Sequence, residues 1–134
     1  MAIPRQPRIL VIDDQPQIVA LYSRALEQAG YKAQVAVTAE AALAVVRMTP
    51  PDAILVDLNM PYINGMGLLY RVRQAYPDMP MALITGAPID DQTLNEVQAL
   101  HAGLHFKPLS NTELVHVAED LVGASHASLI ERAC

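Results

Sequence analysis

The chain has 134 residues and a net charge of −5, with 52% apolar and only 17% charged residues. One domain with a single core is expected, and disorder, a coiled coil, a second enzymatic or DNA-binding domain and direct nucleic-acid binding are all disfavoured. The one cysteine, Cys134, allows no internal disulfide and no zinc or thiol cluster, and the opening Met1 to Arg8, with Pro4 and Pro7, lacks an apolar leader. No run approaches membrane-spanning length, so a reducing cytoplasmic setting without membrane insertion is expected.

The apolar run Ile9 to Ile12 reads as a buried strand ending in Asp13-Asp14. Pro16 opens a helix whose inward positions are Ile18, Leu21, Tyr22, Ala25, Leu26 and Ala29, and Gly30 stops it. Lys32 to Val37 is a more polar strand, with Ala33, Val35 and Val37 alternating against Lys32, Gln34 and Ala36, and is expected at a sheet edge. Ala39 to Met48 is helical and ends before Pro50-Pro51; Ile54 to Val56 is a third strand ending in Asp57. Gly65 to Tyr76 forms a helix stopped by Pro77, and Met81 to Ile84 a strand ending in Thr85. A fourth helix is expected over about Asp90 to His101, ending near Gly103, and the strand Leu104 to Phe106 delivers Lys107. Ser110 and Glu113 form a capping box for a last helix that continues to about Val122. Residues 1–123 make one domain on this reading, and Gly123 to Cys134 either docks Leu129 and Ile130 on it or begins a longer linker helix.

Alternating strands and helices imply a parallel sheet covered on both faces. The polar second strand and short fifth strand are natural edges, which favours a flavodoxin-like (βα)5 doubly wound sheet of order 2-1-3-4-5, with its switch point between strands one and three. Ligands bind where the carboxyl ends of such strands meet the loops, so Asp13, Asp14, Asp57, Thr85 and Lys107 should gather at one edge. Three converging carboxylates repel without a cation, and an octahedral magnesium ion suits oxygen donors from the aspartates and the Asn59 backbone carbonyl. The ammonium and hydroxyl then suit phosphoryl oxygens. Taken singly, Asp13-Asp14 could be a helix cap, Thr85 a strand-forming residue and Lys107 a solvated side chain.

The set Ile12-Asp13-Asp14-Gln15-Pro16, Asp57-Leu58-Asn59-Met60-Pro61 with Gly65, Thr85-Gly86 and Lys107-Pro108 resembles the receiver domain of bacterial two-component response regulators, over about Arg8 to Val122. The resemblance implies that Asp57 accepts a phosphoryl group from a histidine kinase, a histidine phosphotransfer protein or a small phosphodonor. It also implies that Asp14 ligates magnesium directly and Asp13 mainly through water, that Thr85 and Lys107 contact the phosphoryl group, and that Gly86 lets a backbone N–H approach it. Helix four, strand five and helix five would then form the face that binds a downstream protein or a second receiver, as a phosphorylation-dependent homodimer or otherwise. The chain would be a switch, not an enzyme acting on other substrates.

The sequence departs from this pattern at Leu104, where the family carries an aromatic residue, and in the short connection through Ala102-Gly103. Phe106 lies on the same strand face as Leu104 and either stands in for part of that aromatic residue's role or, the favoured reading, packs in the core. His101, His105, His116 and His126 lack ligand spacing and suggest no metal or phosphotransfer role. The alternatives are a haloacid-dehalogenase-like phosphatase, which also uses an aspartyl phosphate, and a pseudo-receiver regulated by binding alone.

Overall fold

The computed structural model describes residues 6–58 and 64–133. Strands β1 (Arg8–Ile12), β2 (Lys32–Ala36), β3 (Ala53–Asp57), β4 (Met81–Thr85) and β5 (Gly103–Phe106) alternate with helices α1 (Pro16–Gln28), α2 (Ala39–Met48), α3 (Gly65–Ala75), α4 (Asp91–Ala99) and α5 (Asn111–Ala133). All strand pairs are parallel, in the order β2-β1-β3-β4-β5. The continuous apolar runs are buried on both faces, as a helix-covered parallel sheet requires.

Alternation along the strands divides the core in two. Ile9, Val11, Leu55 and Ile84 pack with α1 and α5 through Val19, Leu26, Leu114 and Ala118. Leu10, Ile12, Ile54, Val56 and Leu83 pack with α2, α3 and α4 through Val46, Leu69, Val72 and Val97. Each large side chain fully buried there contributes roughly 1.5–3 kcal/mol of transfer free energy.

Local chemistry sets the helix ends. At the end of α1, Gly30 takes φ +101° while the amides of Gly30 and Tyr31 return to the carbonyls of Glu27 and Leu26, a Schellman closure that favours glycine. Thr38, Asn64 and Asp90 cap α2, α3 and α4, and the expected Ser110–Glu113 box caps α5 reciprocally at 3.3 and 3.1 Å.

Three expectations change. Helix α4 ends short of Gly103: its last residue is Ala99, and the closing left-handed position is taken by His101 at φ 54°, with Gly103 beginning β5. The amides of His101 and Ala102 return to Gln98 and Val97 in the same closure that glycine makes after α1. On edge strand β2 the buried residue is Ala36, packed with Ala42 and Val46 of α2, while Val35 and, just past the strand, Val37 are 47% and 41% exposed. Helix α5 runs on past Val122 to Ala133; Gly123 weakens a helix by about 1 kcal/mol relative to alanine, and nearby Ala124 and Ala127 favour continuation.

Candidate functional site

Strand register builds the site. Ile12 pairs with Val56, so Asp13 stands one residue beyond the ladder beside Asp57. Asp57 pairs with Ile84, which places Thr85 next, and Thr85 pairs with Phe106, which places Lys107 next. Ligand oxygens of Asp13, Asp14 and Asp57 all lie within 4.8 Å of one another. Lys107 Nζ donates to Asp57 Oδ2 at 3.1 Å and to Asp13 Oδ2 at 3.4 Å. Asp13, Asp57 and Thr85 are buried, while Asp14 is partly exposed. Asn59 and Met60 lie outside the described residues.

The capping role for Asp13 does not hold. The N-cap of α1 is Gln15, without a side-chain cap bond, and Asp13 Oδ1 instead accepts from the Gln15 amide at 3.0 Å. That bond leaves Oδ2 turned to Lys107. Burial raises the Asp13 pKa; the Gln15 amide lowers it, the neighbouring Asp57 carboxylate raises it further and Lys107 lowers it, with a net rise. For Lys107 burial acts to lower the pKa, but the hydrogen bond and charge of Asp57, with Asp13 and Tyr22, more than offset it, so the pKa is raised and the ammonium is secured.

Thr85 folds back on the loop that follows it: its hydroxyl donates to the Ala87 carbonyl at 3.1 Å and accepts from the Ala87 amide at 3.2 Å. The Lys107 amide donates to the Thr85 carbonyl at 2.7 Å, tying the ends of β4 and β5 together. A Cβ at Gly86 would make only ordinary contacts with the Lys107 stem, so steric demand is not what calls for glycine there. Gly65 differs. A Cβ on it would sit 3.2 Å from the Asp57 carbonyl oxygen and 3.4 Å from Leu58 Cα, so glycine lets α3 approach the β3 terminus without pushing that backbone aside.

Phe106 is not a core residue. It is 54% exposed on the strand face shared with Thr85, whereas Leu104 packs partly buried against the core beneath α4. Two contributors went unnoticed in the sequence. Tyr22 is buried on α1 and lines the same small void as Asp13, Asp57 and Lys107, yet in sequence it is one more inward helix position. Arg73, in the last turn of α3, donates to the carbonyls of Leu100, Pro77 and Met79 at 2.9, 2.9 and 2.7 Å, joining α3 to the end of α4; only its place near a helix C-terminus hinted at such a role.

Three carboxylates around one ammonium leave a surplus of negative charge that a divalent oxygen-seeking cation would relieve, so the donor set fits magnesium. The strand ends thus bring together the Asp57 carboxylate, the Lys107 ammonium and the Thr85 side chain.

Residues 9–119 match the family model described as the response regulator receiver domain. The chain is 33% identical over 113 residues to the transcriptional regulatory protein PrrA of Mycobacterium leprae, covering 81% of this chain and 47% of that protein. It is also 33% identical over 112 residues to the transcriptional regulatory protein BaeR of Escherichia coli, covering 81% and 45%. It thus spans about half the length of these relatives. Among solved structures, a CheY-like receiver domain protein from Methanospirillum hungatei superposes with a TM-score of 0.86 at 23% identity, over 92% of this chain and 99% of that one, a likeness of fold. The signal receiver domain of an HD domain-containing protein from Pseudomonas fluorescens gives 0.83 at 26% identity, over 92% and 99%.

Proposed function

The chain belongs to the response regulator receiver domain family of two-component systems, and from that premise we propose that Asp57 is its phosphoacceptor and that the domain works as a phosphorylation-controlled binding switch. Membership sets aside the phosphatase alternative. The observation that carries the assignment is the buried Asp57 carboxylate held at 3.1 Å by Lys107 inside a cluster of three carboxylates. An oxygen of Asp57 forms a bond to phosphorus while the bond from phosphorus to the donor, a phosphohistidine nitrogen or a small acyl phosphate, breaks and the leaving group keeps the electron pair. A magnesium ion held by Asp13, Asp14 and Asp57, with the Asn59 carbonyl as a further donor, would supply charge compensation for the phosphoryl oxygens.

The chain's own residues do the rest. Lys107 already spans Asp57 and Asp13, so it meets a phosphoryl oxygen by a small movement of its flexible stem. The Thr85 hydroxyl reaches the phosphoryl group only by leaving the Ala87 carbonyl, and that exchange moves the connection into α4. Phosphorylation thereby shifts the population of the α4, β5 and α5 surface, where a downstream protein or a second receiver binds. A sensor histidine kinase or histidine phosphotransfer protein is the donor class, the cytoplasm is the setting, and the domain turns over nothing beyond its own aspartyl phosphate. Residues 1–123 constitute the switch. Among the described residues no helix is long and apolar enough to cross a membrane.

Adding magnesium and beryllium fluoride, a phosphoryl mimic, tests this by NMR. The amides of Thr85, Gly86 and the first turn of α4 should shift in the wild type and stay still in Asp57→Asn. Shifts that persist in Asp57→Asn, or none in either protein, would leave a domain regulated by partner binding alone.

A further inference from the structure

Helix α1 brings to the wall of the site one side chain with a polar group that the chemistry above leaves without a role. Tyr22, in its second turn, is only 7% exposed, and with Asp13, Asp57 and Lys107 it walls a void floored by Leu55 and Ile84. That void has no room for a water molecule. A buried phenol ordinarily finds a polar neighbour, and the neighbours here are one ammonium and two carboxylates. Burial raises the Tyr22 pKa, Lys107 opposes the rise and both carboxylates reinforce it, so the group stays a neutral hydroxyl.

Lys107 is held at present by two carboxylates, at 3.1 and 3.4 Å. Conversion of Asp57 to its acyl phosphate and engagement of Asp13 by a cation remove both as simple partners. An ammonium on a four-carbon stem has three donors and ample rotamer freedom, and no water can reach it from below. The remaining side chain on that wall that carries a polar group is Tyr22.

We infer that Tyr22 is a positioning residue for Lys107, its hydroxyl steadying the ammonium from the α1 side so that it stays aimed at the phosphoryl group. The inference rests on Asp57 being the phosphoacceptor. Tyr22→Phe removes the hydroxyl and keeps the ring; Tyr22→Leu removes both.

The test follows phosphorylation of the full chain by acetyl phosphate in magnesium, using intact mass, alongside proton exchange of the Lys107 ammonium by NMR, assigned with Lys107→Arg. Tyr22→Phe should slow phosphorylation at saturating acetyl phosphate by about three- to tenfold, the worth of one hydrogen-bond partner. The half-saturating concentration should not change, Lys107 ammonium exchange should quicken, and Tyr22→Leu should be slowed at least as much. If Tyr22→Phe matches the wild type in rate and exchange while Tyr22→Leu is slow, the ring merely fills space and the inference fails. It fails equally if both variants match the wild type. A wild type that takes up no phosphoryl group would strike at the Asp57 assignment instead. Ammonium exchange in the Asp13→Asn, Asp57→Asn double variant, where neither carboxylate holds Lys107, still decides Tyr22 then: quicker on adding Tyr22→Phe supports the role, and unchanged overturns it.

Discussion

Replacing Asp13 by asparagine should make the cation-free protein more stable. Asp13 attracts Lys107 across 3.4 Å, worth about 5 kcal/mol at an effective dielectric of about 20. It is repelled by Asp57 and Asp14 at no more than 4.8 Å, about 3.5 kcal/mol each by the same rule, with the Asp14 share reduced by its contact with water. Attraction and repulsion therefore nearly cancel, and the burial of a carboxylate only 1% exposed decides the balance. Asparagine keeps the oxygen that accepts from the Gln15 amide and sheds the charge. The expected gain is about 1–3 kcal/mol at neutral pH, or about 3–10 °C in Tm for a domain of this size. The sign with pH follows from the raised pKa. The folded state holds the Asp13 proton more tightly than the unfolded chain, so the wild type loses stability as pH rises above the ordinary value of 3.8 through the folded one. The variant's advantage should open over that window and vanish at lower pH. Saturating magnesium should narrow the advantage, since the wild type offers the fuller ligand set. Thermal unfolding in a chelator and in magnesium, across pH, reads all of this. An Asp13→Asn protein less stable than the wild type at neutral pH without cation would show that pairing with Lys107 outweighs burial, and would refute the reasoning.

Gly65→Ala should cost about 1–2 kcal/mol in urea unfolding, because the added Cβ meets the Asp57 and Leu58 backbone at 3.2 and 3.4 Å; a more stable variant would show that the β3 terminus yields freely. His101→Gly relieves a left-handed residue at φ 54° and should raise stability by about 1 kcal/mol, with phosphorylation unchanged; a loss would mean the imidazole makes compensating contacts. Arg73→Leu strips donors from the carbonyls of Leu100, Pro77 and Met79 and should cost about 2–4 kcal/mol, with the earliest amide-exchange losses at the end of α4. Uniform loss of exchange protection would argue against that local role.

The sheet and the gathering of polar side chains at its edge were legible because each central strand is an unbroken apolar run followed by or ending in a polar residue, and the register sets those ends side by side. The weakly patterned β2 also betrayed its edge position, though not which face α2 would cover. What escaped depends on tertiary context. His101 gives no sign of taking a glycine's conformation, and nothing in the pattern of Leu104 and Phe106 shows that the first packs on the core while the second stays exposed. Tyr22 and Arg73 sit at ordinary helical positions, and their partners lie on elements far along the chain. The end of α5 was open because Gly123 can stop a helix or merely weaken it.

The central claim, that Asp57 accepts a phosphoryl group within a cation-dependent cluster, is tested most directly by intact mass after incubation with acetyl phosphate. The account predicts a gain of one phosphoryl group that requires magnesium, is lost on chelation and is absent in Asp57→Asn. A gain that survives in Asp57→Asn, or that proceeds equally without any divalent cation, would contradict it.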